Sequence, residues 1–228
     1  MKAPLSQTIA VLTGDLVQSS TLSPSALEEA FDALQRCAAL QESWVGDSLR
    51  FTRHRGDGWQ VALPTPQFAL RAALAFRAHL RALGDTNGAP IDSYIGIATG
   101  PALGDLGSDP GRDLNGRSDM VFVVSGRALD RIKSDKDATK GPPAYLRLAS
   151  PQPSLRAVTI LVDYMSRGWT PAQAEVCARM LAPAPPSYTD LAKAVGKSRQ
   201  AVTKSLTAAG WFELAAALAL VEEEMDNV

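Results

Sequence analysis

The stretch YTDLAKAVGKSRQAVTKSLTAAGW, Tyr188 to Trp211, holds two short apolar faces separated by a glycine. Leu191, Ala192 and Val195 form the first face, and Ala201, Val202, Leu206 and Ala209 form the second, both at helical spacing. Gly196 between them suits a tight turn, because glycine tolerates positive φ without a Cβ clash. Ser198 stands where its hydroxyl can accept hydrogen bonds from the first free amides of the second helix. Arg199, Gln200, Thr203 and Lys204 are left on that helix's outer side, with Lys197 and Ser198 at its start. Arg and Gln can pair with base edges in a major groove, whereas Lys and Thr hold phosphate.

A helix, a glycine turn and a second helix with an outward polar row have the layout of a helix-turn-helix. Double-stranded DNA is then the expected partner, gripped by Lys197, Ser198, Arg199, Gln200, Thr203 and Lys204. The other reading is an amphipathic helical hairpin that merely fills a helical subdomain. Four cations (Lys193, Lys197, Arg199, Lys204) against Asp190 favour DNA.

The rest of the chain does not share this charge. The formal net charge of the 228 residues is -1, so DNA affinity must come from a local patch and not from a global field. Glu222 to Asp226 reads as a solvated acidic helix end. A mean hydropathy of -0.05 is that of a soluble globular protein, no run reaches membrane-spanning length, and no signal peptide is visible. Cys37 and Cys177 lie far apart in apolar helical patterns without metal-ligand neighbours, and His54 and His79 are isolated. Buried thiols in a reducing compartment follow, so a cytoplasmic location is expected.

From the start, Gln7 to Asp15 reads as a buried strand ending in Gly-Asp. Ser23-Pro24 opens a helix that carries Leu27, Ala30, Phe31, Leu34 and Ala38 on one face. Leu49 to His54 and Trp59 to Leu63 form a hairpin across Arg55-Gly56-Asp57-Gly58. An alanine-rich helix spans about Thr65 to Leu83, and Ile91 to Thr99 alternates as a strand. Gly100 to Arg117 reads as a surface loop, Met120 to Lys133 as an apolar run and helix, and Ala144 to Ala149 as a returning strand. This order describes an α+β fold, a ferredoxin-like α/β sandwich with helices on one face. Ser150-Pro151-Gln152-Pro153-Ser154 marks a linker, giving a domain over 1–149 and a helical domain over 155–228. Thr170-Pro171-Ala172-Gln173 is a capping box that starts one helix of the second domain, and Leu214 to Met225 is its last helix.

Gly14-Asp15-Leu16-Val17-Gln18-Ser19-Ser20 and Arg55-Gly56-Asp57-Gly58-Trp59-Gln60 resemble two motifs of class III nucleotide cyclases. Tyr94-Ile95-Gly96-Ile97-Ala98-Thr99-Gly100 and Ser125-Gly126-Arg127-Ala128-Leu129 resemble two more. With Trp169-Thr170 and Gln173, the whole layout is similar to the SatD family. The resemblance implies that Asp15 and Asp57 hold Mg²⁺ or Mn²⁺. It implies that Arg127 steadies charge on the α-phosphate, and that Arg53 and Asp119 contact the base of a nucleotide or cyclic nucleotide. It also implies a homodimer. Two carboxylates meeting at a sheet edge repel unless a cation neutralises them, and oxygen ligands suit these hard ions. On spacing alone they are equally ordinary strand-end and turn aspartates. Arg112 and Arg117 add loop charge that phosphate or solvent can take up.

The sequence departs from an active cyclase at Val123, where the family has an asparagine, and at Arg53, where it has a lysine. Losing a transition-state hydrogen bond commonly costs ~10²–10³ in rate. The expected function is therefore a DNA-binding transcriptional regulator whose degenerate cyclase-like domain senses a nucleotide or mediates dimerisation. An active, metal-dependent nucleotidyl cyclase with a helical accessory domain is the alternative. A plain interaction module using neither site is the third reading.

Overall fold

β1, Ser6–Leu16, is the central strand, and its alternation decides where everything else packs. Ala10, Leu12 and Leu16 enter one core, while Ile9 and Val11 enter a second core on the opposite side. The computed structural model describes residues 6–46, 49–54, 56–86, 89–103, 114–134 and 144–226. The sheet runs β2-β3-β1-β6-β7, with β2 at Arg50–Arg53, β3 at Gly58–Leu63, β6 at Ser93–Leu103 and β7 at Leu146–Ala149. β1 is antiparallel to both β3 and β6, β2 is antiparallel to β3, and β7 joins β6 in parallel. A small hairpin, β4 (Asp85–Thr86) with β5 (Ala89–Pro90), stands apart. The first four sheet strands have the ferredoxin-like order, so the expected α+β fold is present.

Helices α1 (Pro24–Val45) and α2 (Ala69–Arg81) share the first core with Trp59, Ile95 and Ile97. The expectation of helices on one face holds for these two and fails for α3, Met120–Ser134. α3 crosses the other face, packing Val121 and Phe122 on Ile9, Val11 and Ala98. Gly96 permits this approach. A Cβ there would lie 2.5 Å from the amide nitrogen of Leu129 and collide with the carbonyl of Ser125. The segment from Met120 is helical throughout. Among the described residues of the expected loop, β6 extends to Leu103 and a 3₁₀ turn covers Leu114–Gly116. Arg55 and Arg112 lie outside the described residues.

Helix starts follow the local chemistry. Ser23, Thr170, Ser187 and Ser198 each cap a helix through the side chain. At Thr170 the reciprocal bond from Gln173 is also present. α4 begins at Pro153, inside the Pro/Ser segment, because proline fits the first helical turn where no amide partner is needed. α5 (Pro171–Met180), α6 (Tyr188–Ala194), α7 (Arg199–Ala208) and α8 (Trp211–Asp226) follow.

These helices cover α2, which is buried along its length except at His79. Its arginines are buried with it. Arg77 donates to Asp92 at 3.1 Å and, across the helical layer, to Asp163 at 2.8 Å and Ser166 at 2.7 Å. Arg81 joins Asp92 at 3.0 Å to the Trp169 carbonyl at 2.9 Å, and Arg71 grips Glu222 at 2.5 and 3.0 Å. Glu222 is thus paired rather than solvated, against the expectation for the acidic end. Asp163 also accepts from the amides of Tyr145 and Leu146, which ties α4 to β7. Both cysteines are free and buried. Burial lifts the Cys37 thiol far above its usual range and pushes Cys177 up to about 12. No single helix among the described residues is long and apolar enough to cross a membrane.

Candidate functional site: a carboxylate pair, an arginine groove and an outward helix

Asp15 follows Ile9, Val11 and Thr13 on the α3 side of β1, paired in register with Gly58 and Tyr94. Asp57 sits in the β2–β3 turn, where its carbonyl accepts from the Leu16 amide at 3.1 Å and pins the turn to β1. The two carboxyl groups come within hydrogen-bond reach of each other. Two further side chains complete the group. Ser19, placed by a left-handed turn at Gln18, donates to Asp57. Lys133, at the end of α3, donates to Asp15 at 2.6 Å. Burial raises the Asp15 carboxyl above the ordinary range; the Lys133 hydrogen bond opposes this and the Asp57 charge adds to it. Burial also pushes Asp57 upward, but hydrogen bonds from Ser19 and Asp15 outweigh it and leave Asp57 low. The Lys133 ammonium is raised, first by its bond to Asp15.

Two oxygen-rich side chains fit a hard divalent ion that keeps several waters. Among the described residues no third His, Cys, Asp or Glu joins them. A cation entering here must also displace Lys133, whose side chain is half exposed. The residues fit Mg²⁺ or Mn²⁺ in kind, in competition with an internal ammonium.

The remaining residues that the cyclase resemblance selects lie elsewhere. Arg53 turns to the α1 side, where it forks onto Glu28 at 2.9 and 3.0 Å and lies 3.7 Å over the Phe31 ring. Asp119 pairs with Arg117 at 2.8 Å before the first turn of α3. Lys133 is 14 residues further on, about 21 Å along the helix axis. Arg127 precedes Lys133 by six residues, about 240° round the helix, and points away from the carboxylates. It lines a groove of about 540 Å³ with Arg131, Arg147 of β7 and Arg156 of α4. Among the described residues no carboxylate lines that groove. Arg156 is anchored to the Ser150 carbonyl at 2.9 Å. Four guanidinium groups around one concavity attract phosphate or carboxylate. Arg131, Arg147 and Arg156 escaped sequence reading, because only the fold brings a helix, an edge strand and the next helix together.

The Tyr188–Trp211 stretch folds as its spacing predicts. Gly196 adopts φ +64 and Ser198 accepts from the Ala201 amide at 3.2 Å. Leu191, Ala192, Val202, Leu206 and Ala209 are buried, whereas Ala201 is exposed because it shares the outward side with Arg199 and Gln200. Arg199, Gln200, Thr203 and Lys204 surround one open concavity with Thr207 and Ala208. Lys197 is instead held by Glu175 of α5 at 2.8 Å, and the Ser198 hydroxyl is engaged in capping.

No family model and no curated protein matches the chain. Solved structures with a similar fold include a bacterial light-regulated adenylyl cyclase, at 19% identity over 64% of this chain and a TM-score of 0.43. The chain spans 44% of that protein. The guanylyl cyclase Cya2 is similar at 21% identity over 56% of this chain and 72% of its own, with a TM-score of 0.41. The active GGEEF domain of a diguanylate cyclase from Vibrio cholerae follows at 16% identity, 56% and 77% coverage and a TM-score of 0.38. The fold assignment itself stands on the strand order and register of the sheet.

Proposed function

We propose that this chain is a DNA-binding transcriptional regulator in which α6, the Gly196 turn and α7 act as a helix-turn-helix. The observation that carries this reading is the outward side of α7. Arg199, Gln200, Thr203 and Lys204 stand together around one open surface while Val202 and Leu206 bury the opposite side. Such a helix can read bases with Arg199 and Gln200 and hold phosphate with Lys204. In this reading the cyclase-like sheet region binds the phosphates of a nucleotide, cyclic or not, in the arginine groove, or brings two copies together. A homodimer is supported by Ile160, Leu161 and Tyr164 of α4, which stand 65%, 62% and 69% exposed at helical spacing. Paired recognition helices would meet half-sites about 34 Å apart. The protein acts where the DNA is, in the cytoplasm. The test is retardation, at physiological salt, of a duplex covering the protein's own promoter region. Retardation of that duplex in preference to an unrelated one supports the proposal, and none of either rejects it.

The Asp15–Asp57 pair favours a second reading, a metal-dependent nucleotidyl cyclase with a helical accessory domain. Val123 stands where the resemblance expects a ribose-orienting asparagine, so turnover is not the reading we favour. Product from ATP or GTP with Mn²⁺, lost in Asp15→Ala and Asp57→Ala, would establish it. No product from any ribonucleotide would remove it.

A further inference from the structure

A second cavity, distinct from the carboxylate pair and the arginine groove, opens where α1 and α2 meet α5 and α6. Its volume is about 670 Å³, within the range of small-molecule sites. The floor is apolar. It is formed by Ala33 and Cys37, which are buried, and by Trp44 and Leu40, of which Leu40 is 56% exposed. A leucine that open on the rim of a concave apolar surface gains if something covers it.

The charges around this floor are not balanced. Glu175 is neutralised by Lys197 at 2.8 Å, and Asp190 accepts from Ser187 at 2.6 Å with Lys193 at 3.9 Å. Arg36 of α1 and Arg179 of α5, which also line the cavity, make no ion pair among the described residues. They line the cavity together with His79, the one residue of α2 that is not buried. The His79 Nδ1 lies 2.8 Å from the Ala75 carbonyl. A carbonyl can only accept, so Nδ1 carries the proton and Nε2 is left as an acceptor. The cavity thus offers an apolar floor, two unpaired guanidinium groups and a neutral imidazole acceptor.

We infer that this cavity is a binding site for a small amphipathic anion. The ligand would have an aromatic or aliphatic body on Leu40 and Trp44 and a carboxylate, sulfonate or phosphate held between Arg36 and Arg179. The walls belong to two parts of the chain, since α1 and α2 come from the sheet region and α6 is the helix that precedes α7. A bound ligand therefore bridges the sheet region and the helix pair, which is the position an effector needs. The binding claim does not depend on α7 acting on DNA. Its test contains no DNA, so either reading can fail without the other.

The probe is 1-anilinonaphthalene-8-sulfonate, which has an apolar body and one fixed negative charge, added to the full-length protein. Trp59, Trp169 and Trp211 are buried at 0%, 2% and 5% exposure, which leaves Trp44 as the tryptophan beside the dye. We expect saturable one-to-one binding with quenching of tryptophan emission that is lost in Trp44→Phe. The double variant Arg36→Ala, Arg179→Ala should bind about tenfold more weakly or worse, because a hydrogen bond to a charged group contributes about 1.5–3 kcal/mol. The uncharged dye N-phenyl-1-naphthylamine should not distinguish the two proteins. Both substitutions are at exposed positions, and an unchanged circular dichroism spectrum checks that the variant is folded. Equal sulfonate affinity in wild type and double variant would overturn the inference. So would equal loss of both dyes in the variant, quenching that survives Trp44→Phe, or absence of saturable binding.

Discussion

Asp15 sets a local electrostatic problem, a carboxylate beside a second carboxylate, and the chain answers it with Lys133. The lysine side of this ion pair is half exposed to solvent, which screens it and holds its contribution to about 1 kcal/mol. A divalent cation should therefore compete with it. Lys133→Ala should tighten Mn²⁺ binding by up to about fivefold, and Asp57→Ala should abolish it, as read by electron paramagnetic resonance of free Mn²⁺. No Mn²⁺ binding by either wild type or Lys133→Ala would reduce the pair to strand-end and turn aspartates. The meeting of Asp15 and Asp57 was legible because two short motifs resemble the cyclase pattern. Ser19 was visible within one of those motifs, although not its role. Lys133 was not legible, since it arrives from 118 residues away and a lysine on a helix end ordinarily faces water. His79 offers a second test at this scale. Burial first, then Arg179 and Arg36, depress its imidazole below the ordinary 6.5, while the Ala75 carbonyl opposes them. The unfolded chain therefore binds the extra proton first. The stability due to neutral His79 is complete above pH 6.5 and is lost as pH falls toward the folded value. Urea midpoints of wild type should drop more between pH 7 and pH 5 than those of His79→Gln, and parallel curves would refute the assignment.

At the level of elements, start signals were the most legible feature, because a cap needs only its own next three residues. Ser23-Pro24, Thr170 to Gln173 and Ser198 all do locally what their chemistry allows. α2 is the opposite case. The sequence shows it only as an alanine-rich helix. In the structure its arginines are buried too, and Arg71, Arg77 and Arg81 become ties to α8, α4 and the segment before β6. The partners of Arg77 are 15 and 86 residues away, beyond the reach of any periodicity. Removing its charge breaks two buried ion pairs at once, leaving Asp92 to Arg81 at 3.0 Å and Asp163 to the longer Arg167 contact at 3.6 Å, and breaking a buried pair typically costs 3–5 kcal/mol. Arg77→Met should therefore lower the free energy of unfolding by about that amount, while Arg53→Met, at a surface pair, should cost about 1 kcal/mol or less. Similar costs for both in urea titrations would mean that the buried ties do not join the helical layer to α2. α3 was misplaced for a related reason. Its apolar run fits either side of the sheet, and only the small residues of β6, Gly96 and Ala98, show which side can accept a helix.

Across the whole molecule, three charged surfaces are distributed around a chain with a net charge of -1. The arginine groove lies by the edge strand β7, the Arg36–Arg179 cavity lies where the sheet region meets the helices, and the third surface is the α7 row. The ferredoxin-like order was legible from alternation and turn residues. The groove and the cavity were not, since the groove draws its cations from three distant elements and the cavity from two. The α7 row was legible because one helix supplies all of it. Exposed α4 residues give the molecule a surface on which two copies could pair, so sedimentation of wild type as a dimer and of Ile160→Asp, Tyr164→Asp as a monomer is expected. A monomeric wild type would remove the paired half-sites but not the grip of one α7. That grip is tested most directly by the salt dependence of binding to the promoter duplex, measured by fluorescence anisotropy for wild type and for Lys204→Ala. If Lys204 neutralises a phosphate, binding weakens in the variant and the slope of log K against log salt becomes shallower by about 1. Wild-type affinity and wild-type slope in Lys204→Ala, and likewise in Arg199→Ala, would contradict the placement of DNA on α7.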